Sequence, residues 1–123
     1  MQFILTQSYR YWWPVRVRIP DPETPGKIVE QILKVQFEPK PRDAQLADQE
    51  AAARLTSLRE LTEHDIRVAR EIIVNWDDVT SKDGHVPFTP ENLELALQQP
   101  WFRKAIQTAL QESMNGEEAR LGN

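Results

Sequence analysis

The chain of 123 residues contains no cysteine, which removes disulfides, thiolate nucleophiles and cysteine-based zinc sites at a stroke. It has only 4 glycines, scattered along the sequence, so no Gly-rich loop is present to cradle a phosphate. Histidine is equally scarce. His64 and His85 have no metal-ligating neighbour three or four residues on along an apolar face, and both read as solvent-exposed side chains. Ser8, Ser57, Ser81 and Ser113 sit in no nucleophile-elbow pattern. No apolar run approaches the ~18 residues of a membrane span. Met1–Gln7 lacks the basic and long apolar regions of a secretory signal, so export is not expected from it. Positive charge is in short supply as well: 15 Lys and Arg stand against 19 Asp and Glu, a net charge of −4. That balance argues against nucleic acid as a partner, because phosphate contacts need clustered cations.

What is present is the composition of a globular protein, 40% hydrophobic and 28% charged, in a length that suits one domain over residues 1–123. Charge is unevenly divided within it. Residues 1–42 hold seven Lys or Arg and four Asp or Glu, whereas 43–123 hold eight and fifteen. The asymmetry fits two segments that attract each other, or two faces for two partners.

Six of the nine prolines fall in the first 41 residues, and that segment reads as strand and turn. Val15, Val17 and Ile19 alternate with Arg16 and Arg18, the period of a half-buried strand, and Pro14 and Pro20 suit its edges. Asp21-Pro22-Glu23-Thr24-Pro25-Gly26 is a turn. Beyond it Leu33, Val35 and Phe37 alternate with Lys34 and Gln36, so the two runs form an antiparallel hairpin. Met1–Ser8 offers a short candidate third strand.

The region 43–116 reads as helical. Ala44, Ala47, Ala51, Leu55 and Leu58 make a thin, alanine-rich stripe. After a break near Leu61, Thr62 can cap a second helix whose stripe is Ile66, Ala69, Ile73 and Trp76. Asp83-Gly84 suits a tight hairpin between Val79 and Val86. Thr89-Pro90-Glu91 sets a capping hydroxyl, an N1 proline and a first-turn acid in the order that orphan amides and the helix dipole favour. Pro100 ends that helix and starts the next, along which Phe102, Ala105, Ile106, Ala109, Leu110 and Ser113 keep helical spacing; Gly116 fits its left-handed end. Residues 117–123 read as a polar, frayed tail. The expected fold is α+β, an N-terminal antiparallel β-hairpin packed against about four α-helices.

Two constellations invite chemistry. Asp77, Asp78 and Asp83 form an acidic cluster, but the alternate oxygen ligands and closing glutamate of a calcium loop are missing, and turn capping is the simpler role. Tyr9-Arg10-Tyr11-Trp12-Trp13-Pro14-Val15-Arg16-Val17-Arg18 mixes rings with cations. On a regular strand Trp12 and Trp13 point to opposite faces, so one of them is exposed or covered by a partner. The run reads as core, as a protein contact, or as a platform for stacking single-stranded nucleic acid.

Trp76-Asp77-Asp78-Val79, Asp83-Gly84, Pro87-Phe88-Thr89-Pro90-Glu91-Asn92-Leu93 and Pro100-Trp101-Phe102, taken in this order, resemble the tail assembly chaperones of tailed bacteriophages. Tyr11-Trp12-Trp13-Pro14-Val15-Arg16-Val17-Arg18-Ile19-Pro20-Asp21-Pro22 is similar to the amino-terminal strand of one branch of that family. The resemblance covers 11–42 and roughly 70–115. It implies a non-catalytic protein of the host cytoplasm, absent from the finished virion, that binds the tape-measure protein and helps recruit major tail (tube) protein. It transfers no catalytic, cofactor or metal residue, and none is expected. Many such proteins also have a longer, frameshifted form. Chaperoning a long helix needs an apolar, charge-rimmed groove; Trp12, Trp13, Phe88, Trp101 and Phe102 are the candidate partner-binding residues, Phe88 and Phe102 also suited to stapling helix ends into the core. Weak homo-oligomerisation fits a protein that lines a long partner, although no heptad seam demands it. A structural tail or head-tail joining component is the alternative from another class.

Overall fold

The computed structural model of the chain describes residues 1–119. Strands β1 (Tyr11–Pro20) and β2 (Ile28–Phe37) form the expected antiparallel hairpin, in register from Tyr11 opposite Phe37 to Pro20 opposite Ile28. The turn is closed by its own backbone: Asp21 N–H donates to the Lys27 carbonyl at 2.8 Å, and the Asp21 carboxylate accepts from Glu23 N–H at 2.9 Å. Gly26, at φ 82°, takes the left-handed position that a side chain would oppose.

Helices α1 (Arg42–Ala53) and α2 (Leu58–Ile72) follow. The chain then re-enters the sheet as β3 (Ile73–Asp77), antiparallel to β2, giving strand order β1-β2-β3. This corrects two expectations. The helical stripe drawn through Ile73 and Trp76 ends at Ile72, and the third strand is 73–77 rather than Met1–Ser8, which is exposed coil. A small hairpin, β4 (Thr80–Ser81) with β5 (Gly84–His85), is held at its base by Val86 N–H on the Val79 carbonyl at 2.8 Å. Helices α3 (Pro90–Leu97) and α4 (Pro100–Met114) complete an α+β fold that is 42% helix and 24% strand. Of the polar tail expected over 117–123, residues 117–119 are coil and 120–123 lie outside the described residues.

One face of the sheet and three of the helices enclose the core. Val15, Val35, Phe37 and Leu97 are its most deeply buried large side chains, joined by Ile66 and Ile72 of α2 and by Phe102, Ala105, Ile106 and Ala109 of α4. The small Ala105 and Ala109 let α4 lie close against β1. Tyr11 fixes one end of that contact: Ser113 Oγ donates to the Leu110 carbonyl at 2.8 Å, so its 2.6 Å bond to Tyr11 is one in which the tyrosine donates. At the other end Arg103 donates to the Leu97 and Gln98 carbonyls at 2.7 and 3.0 Å, satisfying acceptors that the end of α3 leaves open. Thr89 caps α3 as its sequence implies, accepting from Asn92 N–H at 3.0 Å. Helix α2 instead begins earlier than Thr62, at Ser57, whose Oγ accepts from Glu60 N–H at 3.1 Å and donates to the Glu60 carboxylate at 3.0 Å.

Candidate functional site: an outer sheet face and its groove

The inward set Val15, Val17, Leu33, Val35 and Phe37 determines what the opposite face must carry, because strand side chains alternate. Trp12, Pro14, Arg16, Arg18 and Pro20 of β1 lie beside Gln36, Lys34, Ile32, Glu30 and Ile28 of β2, in that register. Pro14, Arg16 and Gln36 are half-buried and the rest of the set is exposed. Trp12, Ile28 and Ile32 remain 46%, 46% and 51% exposed. Two carboxylates stand against the three cations of this face: Arg16 and Arg18 approach the shared Glu30 at 3.6 and 3.8 Å, and Lys34 approaches Asp78 at 3.5 Å. The surface therefore offers apolar side chains between paired ions, a pattern suited to another protein and less suited to phosphate, whose cations are already engaged.

Where this face meets α4 it dips into a groove of about 550 Å³. Pro14, Arg16, Arg18 and Ile28 form the sheet wall; Trp101, Lys104, Thr108 and Glu112 form the helix wall above Ala105 and Ala109. The two alanines create the depth and Trp101, 44% exposed, closes one end.

The five aromatic candidates are divided by the structure. Trp12 and Trp101 stand on the surface, at the sheet face and at the groove. Trp13 points the other way and is half-buried, edge-on to Tyr11 at 6.2 Å. Phe102 is buried, and Phe88 is half-buried; both meet the Trp76 ring edge-on, at 6.5 and 5.4 Å. The helix-entry groove expected from Phe88, Trp101 and Phe102 together is not formed, because two of its three rings hold the α3–α4 entry onto Trp76. Trp76 is anchored in turn by its indole N–H on the Val86 carbonyl at 3.0 Å. Ile28 and Ile32 were absent from the sequence reading, although their positions opposite Pro20 and Arg16 follow once the hairpin register is fixed.

Other polar groups serve the fold. Asp77 accepts from Asp78 N–H at 2.9 Å, Ser81 Oγ accepts from Asp83 N–H at 3.2 Å, and no group of three potential metal ligands exists among the described residues. His64 is half-buried, with Nδ1 3.1 Å from Arg67. Lys40 pins α1 to α2 by pairing with Asp48, at 2.8 Å, and with Glu71. Burial opposes the charged form of Lys40, but hydrogen bonds and charge from Asp48 and Glu71 prevail and raise its pKa. The Lys40 hydrogen bond, reinforced by Lys40 and Arg67 charge, holds the Glu71 carboxyl below its ordinary range despite partial burial. Among the described residues no helix is long and apolar enough to cross a membrane. Comparison of this chain with protein-family profiles, curated proteins and solved structures found no match in any of the three.

Proposed function

We propose that this chain is a non-catalytic tail assembly chaperone of a tailed bacteriophage, acting in the host cytoplasm by holding the tape-measure protein and helping to bring tail-tube subunits to it. The observation that carries the reading is surface. The chain exposes 9318 Å², whereas a compact globule of 14.3 kDa exposes about 6,800 Å². Much of the surplus of roughly 2,500 Å² belongs to residues 1–10, which are exposed throughout. The surplus also includes a sheet face whose Trp12, Ile28 and Ile32 are half out of water while its ions are paired. An amphipathic helix laid on that face would bury those three side chains and keep its own charges at the rim. The ordered Trp76–Val79, Asp83-Gly84 and Pro87–Leu93 strings support the same family.

The test is co-expression with the long, helix-rich tape-measure product of the same gene cluster. The soluble fraction of that product rises several-fold in the presence of this chain, and the two co-purify; an unchanged soluble fraction without co-purification contradicts the proposal. Mass spectrometry of purified particles separates it from a structural tail or head-tail joining role, in which the chain stays in the virion.

A further inference from the structure

The first ten residues are exposed throughout and belong to no strand or helix. They are also conspicuously apolar: Phe3, Ile4 and Leu5 are 88%, 79% and 85% exposed, in a stretch with no charged side chain before Arg10. The root of this arm is fixed. Arg10 Nε pairs with Glu38 at 2.6 Å, and the Tyr9 ring lies 5.8 Å from that of Tyr11. Both contacts hold the arm at the end of β1 where β2 finishes, while the groove opens on the other side of β1, against α4. The same molecule thus carries an exposed apolar segment and a partly apolar groove that this segment does not enter, the groove being bordered also by Ala119 of the C-terminal coil.

We propose that two copies of this chain exchange arms, residues 3–5 of each seating in the β1–α4 groove of the other. Area decides between this and a contact too small to persist. Burying a phenylalanine removes at least about 150 Å² from water, and a leucine or isoleucine roughly 100 Å². Each arm therefore buries about 350 Å² of its own surface; with the smaller surface of the groove added and both arms counted, the exchange buries roughly 1,100 Å², at the lower end of specific interfaces and in keeping with a dimer that dissociates on dilution. One arm alone reaches only half of that, so the reciprocal, closed arrangement is the one that holds. Chemistry matches too. Pro14, Ala105, Ala109 and the Trp101 ring receive the apolar side chains, and Arg16 and Arg18 keep Glu30 as partner without needing a charge from the arm. The exchange leaves Trp12 and Ile32 free, and it does not depend on what the chain chaperones.

Sedimentation velocity over a dilution series of the full chain tests this. The wild type sediments as a dimer that dissociates on dilution. Phe3→Ser/Leu5→Ser weakens association by about 100-fold or more, and so does Thr108→Arg, which obstructs the groove from the exposed side of α4. Circular dichroism of both variants matches the wild type. A wild type that stays monomeric up to roughly 200 µM, dimers that survive both sets of substitutions, or assemblies that grow beyond two copies each overturn the proposal.

Discussion

Both faces of the β1–β2 hairpin carry large apolar side chains, and these have opposite fates. On the inner face Val15, Val35 and Phe37 are fully buried, each contributing about 1.5–3 kcal/mol of apolar transfer. On the outer face Ile28, Ile32 and Trp12 keep about half of their surface in water and contribute correspondingly little to folding. Large apolar side chains on an uncovered sheet face invite edge and face association, and the inner core does not need them. The difference teaches that folding uses one side of the hairpin and leaves apolar side chains on the other for the contact proposed above.

The comparison breaks most visibly at Phe37. Phe37→Ala leaves a cavity between β2, β3 and the helices and costs about 3–5 kcal/mol, measured as a lower urea midpoint with an unchanged slope. Removing the Ser57 hydroxyl strips the cap from α2; Ser57→Ala costs about 1 kcal/mol in the same assay. On the outer face, Ile32→Ser changes stability by no more than about 0.5 kcal/mol while reducing tape-measure co-purification. An outer-face loss as large as that at Phe37 would place Ile32 in the core and remove the distinction between the faces.

Helix α1 offers a second, subtler contrast. It has no buried residue and no side-chain cap, and Lys40 ties it down through Asp48 and Glu71. Because the folded-state pKa of Glu71 is lowered, its contribution is present above the ordinary carboxylate range and is lost as pH falls through the depressed value. The raised pKa of Lys40 keeps its contribution intact below the ordinary lysine range and loses it only as pH rises through the higher value. Hydrogen exchange read at each pH as protection over 42–53 relative to α4 shows α1 opening first on acidification, and Lys40→Ala produces the same loss of protection at neutral pH. Both groups are partly exposed, so the effect is local to α1.

The hairpin, the α3 cap, the α4 stripe and the α+β class were legible in the sequence because each rests on local chemistry: alternation, Thr89-Pro90, 3–4 spacing. The switch from α2 into β3 was not. Between Gln36 and Phe37 of β2 the register shifts, so that Val74 of β3 is an extra residue and Ile73 and Trp76 face the core together. A bulge gives two residues three apart the same facing, which is also what a helix does; the β-branched run Ile72-Ile73-Val74 was the signal that separates them. Thr62 alone sets the start of α2 too late, because Ser57 upstream already accepts from the Glu60 amide and begins the helix. Of the candidate site, Trp12 against Trp13 was readable from period two alone. Whether Phe88 and Phe102 line a groove or hold a core depends on Trp76, which reaches them only after β3 is placed.

The central claim, that the chain works through its uncovered sheet face, is tested most directly by capturing the tape-measure product with wild type and with Trp12→Ser/Ile32→Ser in parallel. The account predicts that the variant keeps the wild-type circular dichroism and urea midpoint while recovery of the tape-measure product falls at least tenfold. Equal recovery by a folded variant would contradict it.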